Sequence, residues 1–183
     1  MKVTALFSPL LTMLFAVLYR NTEIDCILTL AITFGTISYY FIIRLFIGFV
    51  IDRLLNNQVD YRARWFQVDV AERKLYEKLK VKKKMGTYAP DCFDRKIHSW
   101  DEIAQATCQA ELVHAVIMVL SFVPVFASIP FGELRVFILT SVLAACYDAM
   151  FVVMQRYNRS RIVKLIETLG NLSKKVVHID NHS

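Results

Sequence analysis

Two short stretches carry most of the side chains that could do chemistry. Glu111 and His114 stand three residues apart. Gln155-Arg156-Tyr157-Asn158-Arg159, with Arg161 two residues on, gathers three guanidiniums, a phenol and two amides. A Glu-x-x-His spacing puts both groups on one helix face. Imidazole titrates near neutrality and is the usual general base for a hydroxyl, and a carboxylate can orient it. Acyl transfer to an alcohol needs such a base. The same pair also occurs as a plain hydrogen-bonded couple at a membrane interface. A carboxylate-bridged metal pair would need a second copy of the motif, and only one is present. The arginine cluster suits a phosphate or carboxylate, which the planar fork grips through two bonds. It suits interfacial anchoring equally well, because it begins where an apolar run stops and an arginine stem can snorkel.

Two further features belong with these. Asp148 is an ionisable residue inside an apolar run. Such a residue faces protein rather than lipid, as a functional group or as the partner of a Tyr or a backbone group. Lys82-Lys83-Lys84 is a compact positive run. It could hold anionic lipid, the phosphates of an acyl-CoA or the acidic surface of an acyl carrier protein, or it could be simple surface charge.

The elements that must position these groups follow from hydropathy. The 183 residues make one domain's worth of chain, 56% hydrophobic with a mean hydropathy of +0.42. That is too apolar for an ordinary soluble domain. Four apolar runs, about 3–19, 26–43, 110–129 and 136–154, predict an all-α integral membrane helical bundle with about four transmembrane helices. Lys2 and the first run could suggest a signal peptide. The run ends in Val-Leu-Tyr-Arg without a small-residue cleavage site, so a retained helix is expected. Tyr39 and Tyr40 suit a membrane interface, and Arg44 can snorkel. Pro124 is expected to kink the third span, and Pro130-Phe131-Gly132-Glu133 to form a tight turn.

Between the spans lies a basic loop, 52–109, and after them a mostly polar tail, 155–183. Phe66 to Val81 reads as an amphipathic helix, with Val68, Leu75, Tyr76 and Leu79 able to share a face. Gly86 to Asp91 reads as a loop. Ser99-Trp100-Asp101-Glu102 fits a capping box, so a helix should start there and can run into the third span. In the tail, Leu165 to Leu172 predicts a helical turn or two, and 178–183 reads as disordered.

The net charge is +6, but the basic residues border apolar runs and no nucleic-acid-binding motif occurs, so nucleic acid is excluded as a partner and membrane lipids are expected instead. Cys26, Cys92, Cys108 and Cys146 form no disulfide framework and no CxxC, and free thiols are expected. The four histidines have no zinc spacing, and no GxGxxG, P-loop or GxSxG is present, so neither metal nor cofactor is expected. There is no His-x-x-x-x-Asp of the best-known glycerolipid acyltransferases.

Taken together, Glu72-Arg73-Lys74-Leu75-Tyr76 with Leu79-Lys80-Val81-Lys82-Lys83, Ala110-Glu111-Leu112-Val113-His114, and Gln155-Arg156-Tyr157-Asn158-Arg159-Ser160-Arg161 make a pattern. It resembles the glycosyl-4,4'-diaponeurosporenoate acyltransferase family of staphyloxanthin-type carotenoid biosynthesis, over roughly 61–170. The chain departs from that pattern at Lys84-Met85, where a tryptophan is expected, and at Ser160, where a proline is. The resemblance implies a cell-membrane enzyme that esterifies a fatty acyl group onto a sugar hydroxyl of a glycosylated carotenoid or related glycolipid.

On that reading His114 is the catalytic base and Glu111 orients it. The substrate-binding residues are Gln155, Arg156, Tyr157, Asn158, Arg159, Arg161, Asp148, Lys82 and Lys83. The donor, an acyl-CoA or acyl carrier protein, meets the basic residues, with its chain between the third and fourth spans. Tyr157 or Asn158 donates to the oxyanion. Two other readings remain open: an acyltransferase acting on another lipid, and a non-catalytic membrane protein whose motif packs helices.

Charge counting predicts the orientation. Of the 22 Lys and Arg, twelve lie in 52–109 and six in 155–183, so both segments should be cytoplasmic. In intact cells Cys92 should resist a membrane-impermeant maleimide, and its labelling there would reverse the topology.

Overall fold

The structure is a computed structural model that describes residues 2–56, 58–78 and 90–180, with side chains for 7–56, 58–78, 91 and 93–173. It is all-α, and no strand occurs among the described residues. The helices are α1 (Lys2–Thr22), α2 (Asp25–Leu55), α3 (Val70–Lys78), α4 (Trp100–Leu120), α5 (Ser128–Phe131) and α6 (Leu134–Asp180). Among the described residues, three stretches are long and apolar enough to cross a membrane: Asp25–Leu55, Trp100–Phe131 and Leu134–Ser173. They mark the chain as a membrane protein. The chain divides into two compact units, one of 1–51 and 113–150, the other of 52–112 and 151–183.

The first unit is polar inside and apolar outside. Thr36, Ser38, Ser121, Ser141 and Asp148 are buried, whereas Phe46, Leu139, Leu143 and Met150 are exposed. That inversion is what a lipid solvent asks for, where hydrogen bonds and close packing join helices better than more hydrocarbon does. Ser8 Oγ donates to Phe34 O at 3.0 Å and meets Ser38 Oγ at 2.6 Å, tying α1 to α2. Phe15 stacks on Phe34 with ring centroids 5.5 Å apart. Helix α1 continues through Pro9.

The break before Pro124 has a local cause. Proline has no N–H, so Leu120 O loses the donor that a continuing helix would supply four residues on. Val125 N bonds Phe122 O at 3.1 Å instead, in a 3-10 turn over Val123–Ala127. Ser121 O therefore loses its helical donor as well. Two phenols from α2 replace those donors: Tyr39 Oη donates to Leu120 O at 3.0 Å and Tyr40 Oη to Ser121 O at 3.2 Å. The expected kink is thus a break in the α-helix, with interior rather than interfacial work for both tyrosines. At Gly132, φ is +69°, and its N–H closes α5 on Ser128 O at 2.9 Å.

The second unit is built on Tyr61, Phe66, Ile103, Ala104, Cys108 and Ile162, with Trp100, Leu112 and Ile166 packed against them. Tyr61 Oη donates to Asp101 Oδ1 at 2.5 Å, and Gln109 Nε2 to Asp52 Oδ1 at 2.9 Å. The capping box at the start of α4 is formed: Ser99 N donates to Glu102 Oε2 at 2.7 Å and Glu102 N to Ser99 Oγ at 3.3 Å.

Two boundaries differ from the sequence reading. The helix expected from Phe66 starts at Val70, because Arg64–Phe66 is a 3-10 turn followed by non-helical residues. The carbonyls of Trp65 and Phe66 accept from Arg156 and Arg159 side chains, not from helical amides. On α3, Tyr76 is buried but Leu75 is 52% exposed. The expected positions 79–81, the lysine run at 82–84 and the loop at 86–89 lie outside the described residues. The polar tail is the second difference, because α6 is one helix of 47 residues. Its buried positions 155, 158, 159 and 162 recur at helical spacing, so the arginine motif sits within a helix rather than beyond one. Residues 181–183 lie outside the described set. Cys26, Cys108 and Cys146 are free, and the Cys92 side chain is not among those described.

Tyr40→Phe should lower stability by about 0.5–1.5 kcal/mol, since it removes the donor to Ser121 O and a bond to Ser141 Oγ. Thermal unfolding of the detergent-solubilised protein measures it, and an unchanged midpoint would count against the phenol's role at the break.

Candidate active site

In the first unit, three helices bring three ionisable groups together. Helix α6 presents Asp148, α4 presents His114 and α2 presents Arg44. Asp148 is fully buried, and each of its carboxylate oxygens has a cationic or imidazole partner. His114 Nδ1 lies 2.9 Å from Oδ1. Arg44 Nη2 donates to Oδ2 at 2.6 Å, and its guanidinium sits over the Tyr147 ring, 4.9 Å from the centroid. A carboxylate in apolar surroundings must be paired, and the arginine fulfils that condition. With the proton of Nδ1 assigned toward Asp148, the imidazole lone pair falls on Nε2, as a general base requires.

The sequence reading gives His114 a carboxylate partner but names Glu111, whereas the carboxylate at hydrogen-bond distance from Nδ1 is that of Asp148. Arg44, expected to snorkel, instead pairs with Asp148. The available signal was electrostatic: one cation and one anion within apolar runs are each expensive in lipid unless they pair.

The second unit holds Glu111 in a different network. Arg159 Nη2 lies 2.5 Å from Glu111 Oε2, and both side chains are buried. Arg159 Nε donates to Phe66 O at 3.0 Å, with the guanidinium 5.0 Å from the centre of the Phe66 ring. Arg156 Nε lies 3.4 Å from Glu111 Oε1, its Nη1 lies 3.1 Å from Glu72 Oε1, and its Nη2 donates to Trp65 O at 2.9 Å. Two arginines and two glutamates balance. Tyr76 Oη donates to Glu72, and the Tyr157 ring meets the Tyr76 ring edge-on with centroids 6.2 Å apart. Burial, reinforced by the Glu72 carboxylate, pushes the Tyr76 phenol well above its usual range, so it remains a donor at any physiological pH.

The other candidates fall as follows. Gln155 is buried, and its Oε1 has no hydrogen-bond partner among the described residues. Asn158 Nδ2 donates to Met154 O of its own helix at 2.9 Å. Tyr157 is buried, and Arg161 is exposed with its guanidinium 6.0 Å from the Tyr157 ring centre. Lys82 and Lys83 lie outside the described residues. The structure thus brings together His114, Asp148 and Arg44 in one unit, and Glu111, Arg156, Tyr157 and Arg159 with Glu72 and Tyr76 in the other.

A family model described as glycosyl-4,4'-diaponeurosporenoate acyltransferase (CrtO) matches residues 61–168. No curated protein and no solved structure matches the chain.

Glu111→Ala should destabilise the protein by about 3–5 kcal/mol, because it strands a buried guanidinium. The double change Glu111→Ala with Arg159→Leu should recover a substantial part. A double-mutant cycle on unfolding midpoints tests this, and additive losses would remove Glu111–Arg159 as a structural pair.

Proposed function

The chain belongs to the glycosyl-4,4'-diaponeurosporenoate acyltransferase family, an acyltransferase family, and on that premise we propose that His114 is the general base of its reaction. The observation that carries the proposal is the fully buried Asp148 joined to His114 Nδ1 at 2.9 Å. Asp148, held on its other oxygen by Arg44, fixes the imidazole's orientation and tautomer and stabilises the imidazolium that forms, as the carboxylate does in hydrolytic triads. Here no protein nucleophile is needed, because the acceptor's own hydroxyl attacks.

The acceptor is a sugar hydroxyl of a glycosylated carotenoid or related glycolipid, and the donor is a fatty acyl thioester of CoA or acyl carrier protein. The hydroxyl oxygen attacks the thioester carbonyl while His114 Nε2 takes its proton. The tetrahedral intermediate collapses, the C–S bond breaks, and the imidazolium returns the proton to the departing thiolate. The products are the sugar ester and the free thiol. Arg156 and Arg159, each beside a glutamate, have a structural role in this reading rather than a donor-binding one.

The enzyme sits in the cell membrane as a multi-pass protein, with α1 as a fourth span. The segments 52–109 and 155–183 are cytoplasmic by the positive-inside rule. The donor carriers named above are cytoplasmic molecules, which agrees with that orientation.

His114→Ala should lower turnover by about 100- to 10,000-fold with inserted protein unchanged. Asp148→Asn should lower turnover too, through the wrong tautomer, while leaving donor KM nearly intact. The assay is acyl transfer to a glycosylated carotenoid in membranes. A stably inserted His114→Ala protein with wild-type turnover would end the assignment.

A further inference from the structure

Beside His114 and Asp148, in the same unit, α4 and α6 leave an apolar groove of about 510 Å³. Its lining is Met118, Val119, Phe122, Ala145, Cys146 and Ala149. Met118 lies one helical turn beyond His114 on α4, and Ala145 and Ala149 flank Asp148 on α6. The groove therefore opens next to the imidazole–carboxylate pair. The groove is open along one side, so it would hold a chain against α4 and α6 rather than enclose it. No charged or hydroxyl side chain lines it, so the surface it offers suits hydrocarbon.

The gap comes from small side chains on one face of α6. Around them Leu139, Leu143 and Met150 are large and exposed, whereas positions 145, 146 and 149 are Ala, Cys and Ala. A lipid-facing helix surface needs no such notch. A carbonyl delivered to the hydroxyl served by His114 does need an apolar path for the chain behind it. The groove begins one helical turn from His114 along α4, on the side where such a chain would lie.

We propose that the groove holds the fatty acyl chain of the donor, and that Ala145 and Ala149 set how long a chain the enzyme accepts. The proposal rests on the acyl-transfer reading and adds to it the site that measures the chain. Larger side chains at the two alanines shorten the groove, and smaller ones at Val119 and Phe122 widen it. His114, Asp148 and Arg44 keep their own side chains in every variant.

The test uses membranes containing the full chain, a glycosylated diaponeurosporenoate acceptor, and an equimolar mixture of lauroyl, palmitoyl and stearoyl donors. The donors are offered as CoA and as acyl carrier protein thioesters. Mass spectrometry reads the chain-length distribution of the ester. Ala149→Phe and Ala145→Leu should move the ratio of short to long product by about tenfold or more, the usual effect of a methylene-scale misfit. Phe122→Ala should move it the opposite way, which keeps the test decisive if a bulky variant fails to insert. Active variants with the wild-type distribution would overturn the groove as the acyl site while leaving acyl transfer standing. A changed acceptor KM with an unchanged distribution would overturn it in favour of the polyene. A wild-type protein that transfers no chain from either carrier would remove the acyl-transfer reading itself.

Discussion

A buried charge must find its counter-charge within the protein, and this condition governs both units. A carboxylate in water is solvated by the medium, whereas Asp148 is fully buried in a helix apolar enough to cross a membrane. Its two oxygens are therefore held by Arg44 and His114. The partners come from three different helices, so neutralising one residue also fixes how those helices meet. In the other unit, Arg159 imposes the same condition through Glu111 and the Phe66 carbonyl. Replacing such pairs with hydrocarbon often costs little stability, whereas removing one partner costs a great deal. A pair of this kind is thus expensive to lose piecemeal and informative about function when one member is a histidine.

The two motif stretches divide their labour along this line. The arginine motif has the side chains of a phosphate site, but its two central guanidiniums already meet Glu72 and Glu111. It binds the chain's own carboxylates and the carbonyls of Trp65 and Phe66. The Glu-x-x-His stretch divides too: its glutamate joins the arginines and its histidine joins Asp148. Residues that look like one constellation in the sequence serve two separate electrostatic tasks.

How much was legible in the sequence follows from the range of each signal. Hydropathy runs gave the three stretches apolar enough to span, and Ser99 with Glu102 gave the start of α4, because both signals are local. His114 and Asp148 each stand out by residue type in an apolar setting. Their pairing does not, since 34 residues separate them and only the folded helices bring them together. Glu111 was the nearer carboxylate in sequence and so the natural choice. The start of α3 was misjudged because Phe66 and Val68 fit the helical pattern, while the carbonyls of Trp65 and Phe66 were claimed by arginines about 90 positions away. Polarity from 155 on reads as the end of the span with a helical turn or two at Leu165–Leu172, whereas α6 runs on unbroken because Gln155, Asn158 and Arg159 face a protein core.

The interrupted α-helix at Pro124 has a consequence for how this sequence can drift. Tyr39 and Tyr40 supply the bonds that Leu120 and Ser121 would otherwise lack, so proline and phenols form one inherited unit. A lineage that exchanged Pro124 for a helix former would free the Tyr39 hydroxyl from its task, after which Phe becomes acceptable at 39, while Tyr40 still serves Ser141. A lineage that lost the hydroxyls first would strand two carbonyls in an apolar setting. The order of substitution is therefore constrained, with the proline leaving before the Tyr39 phenol.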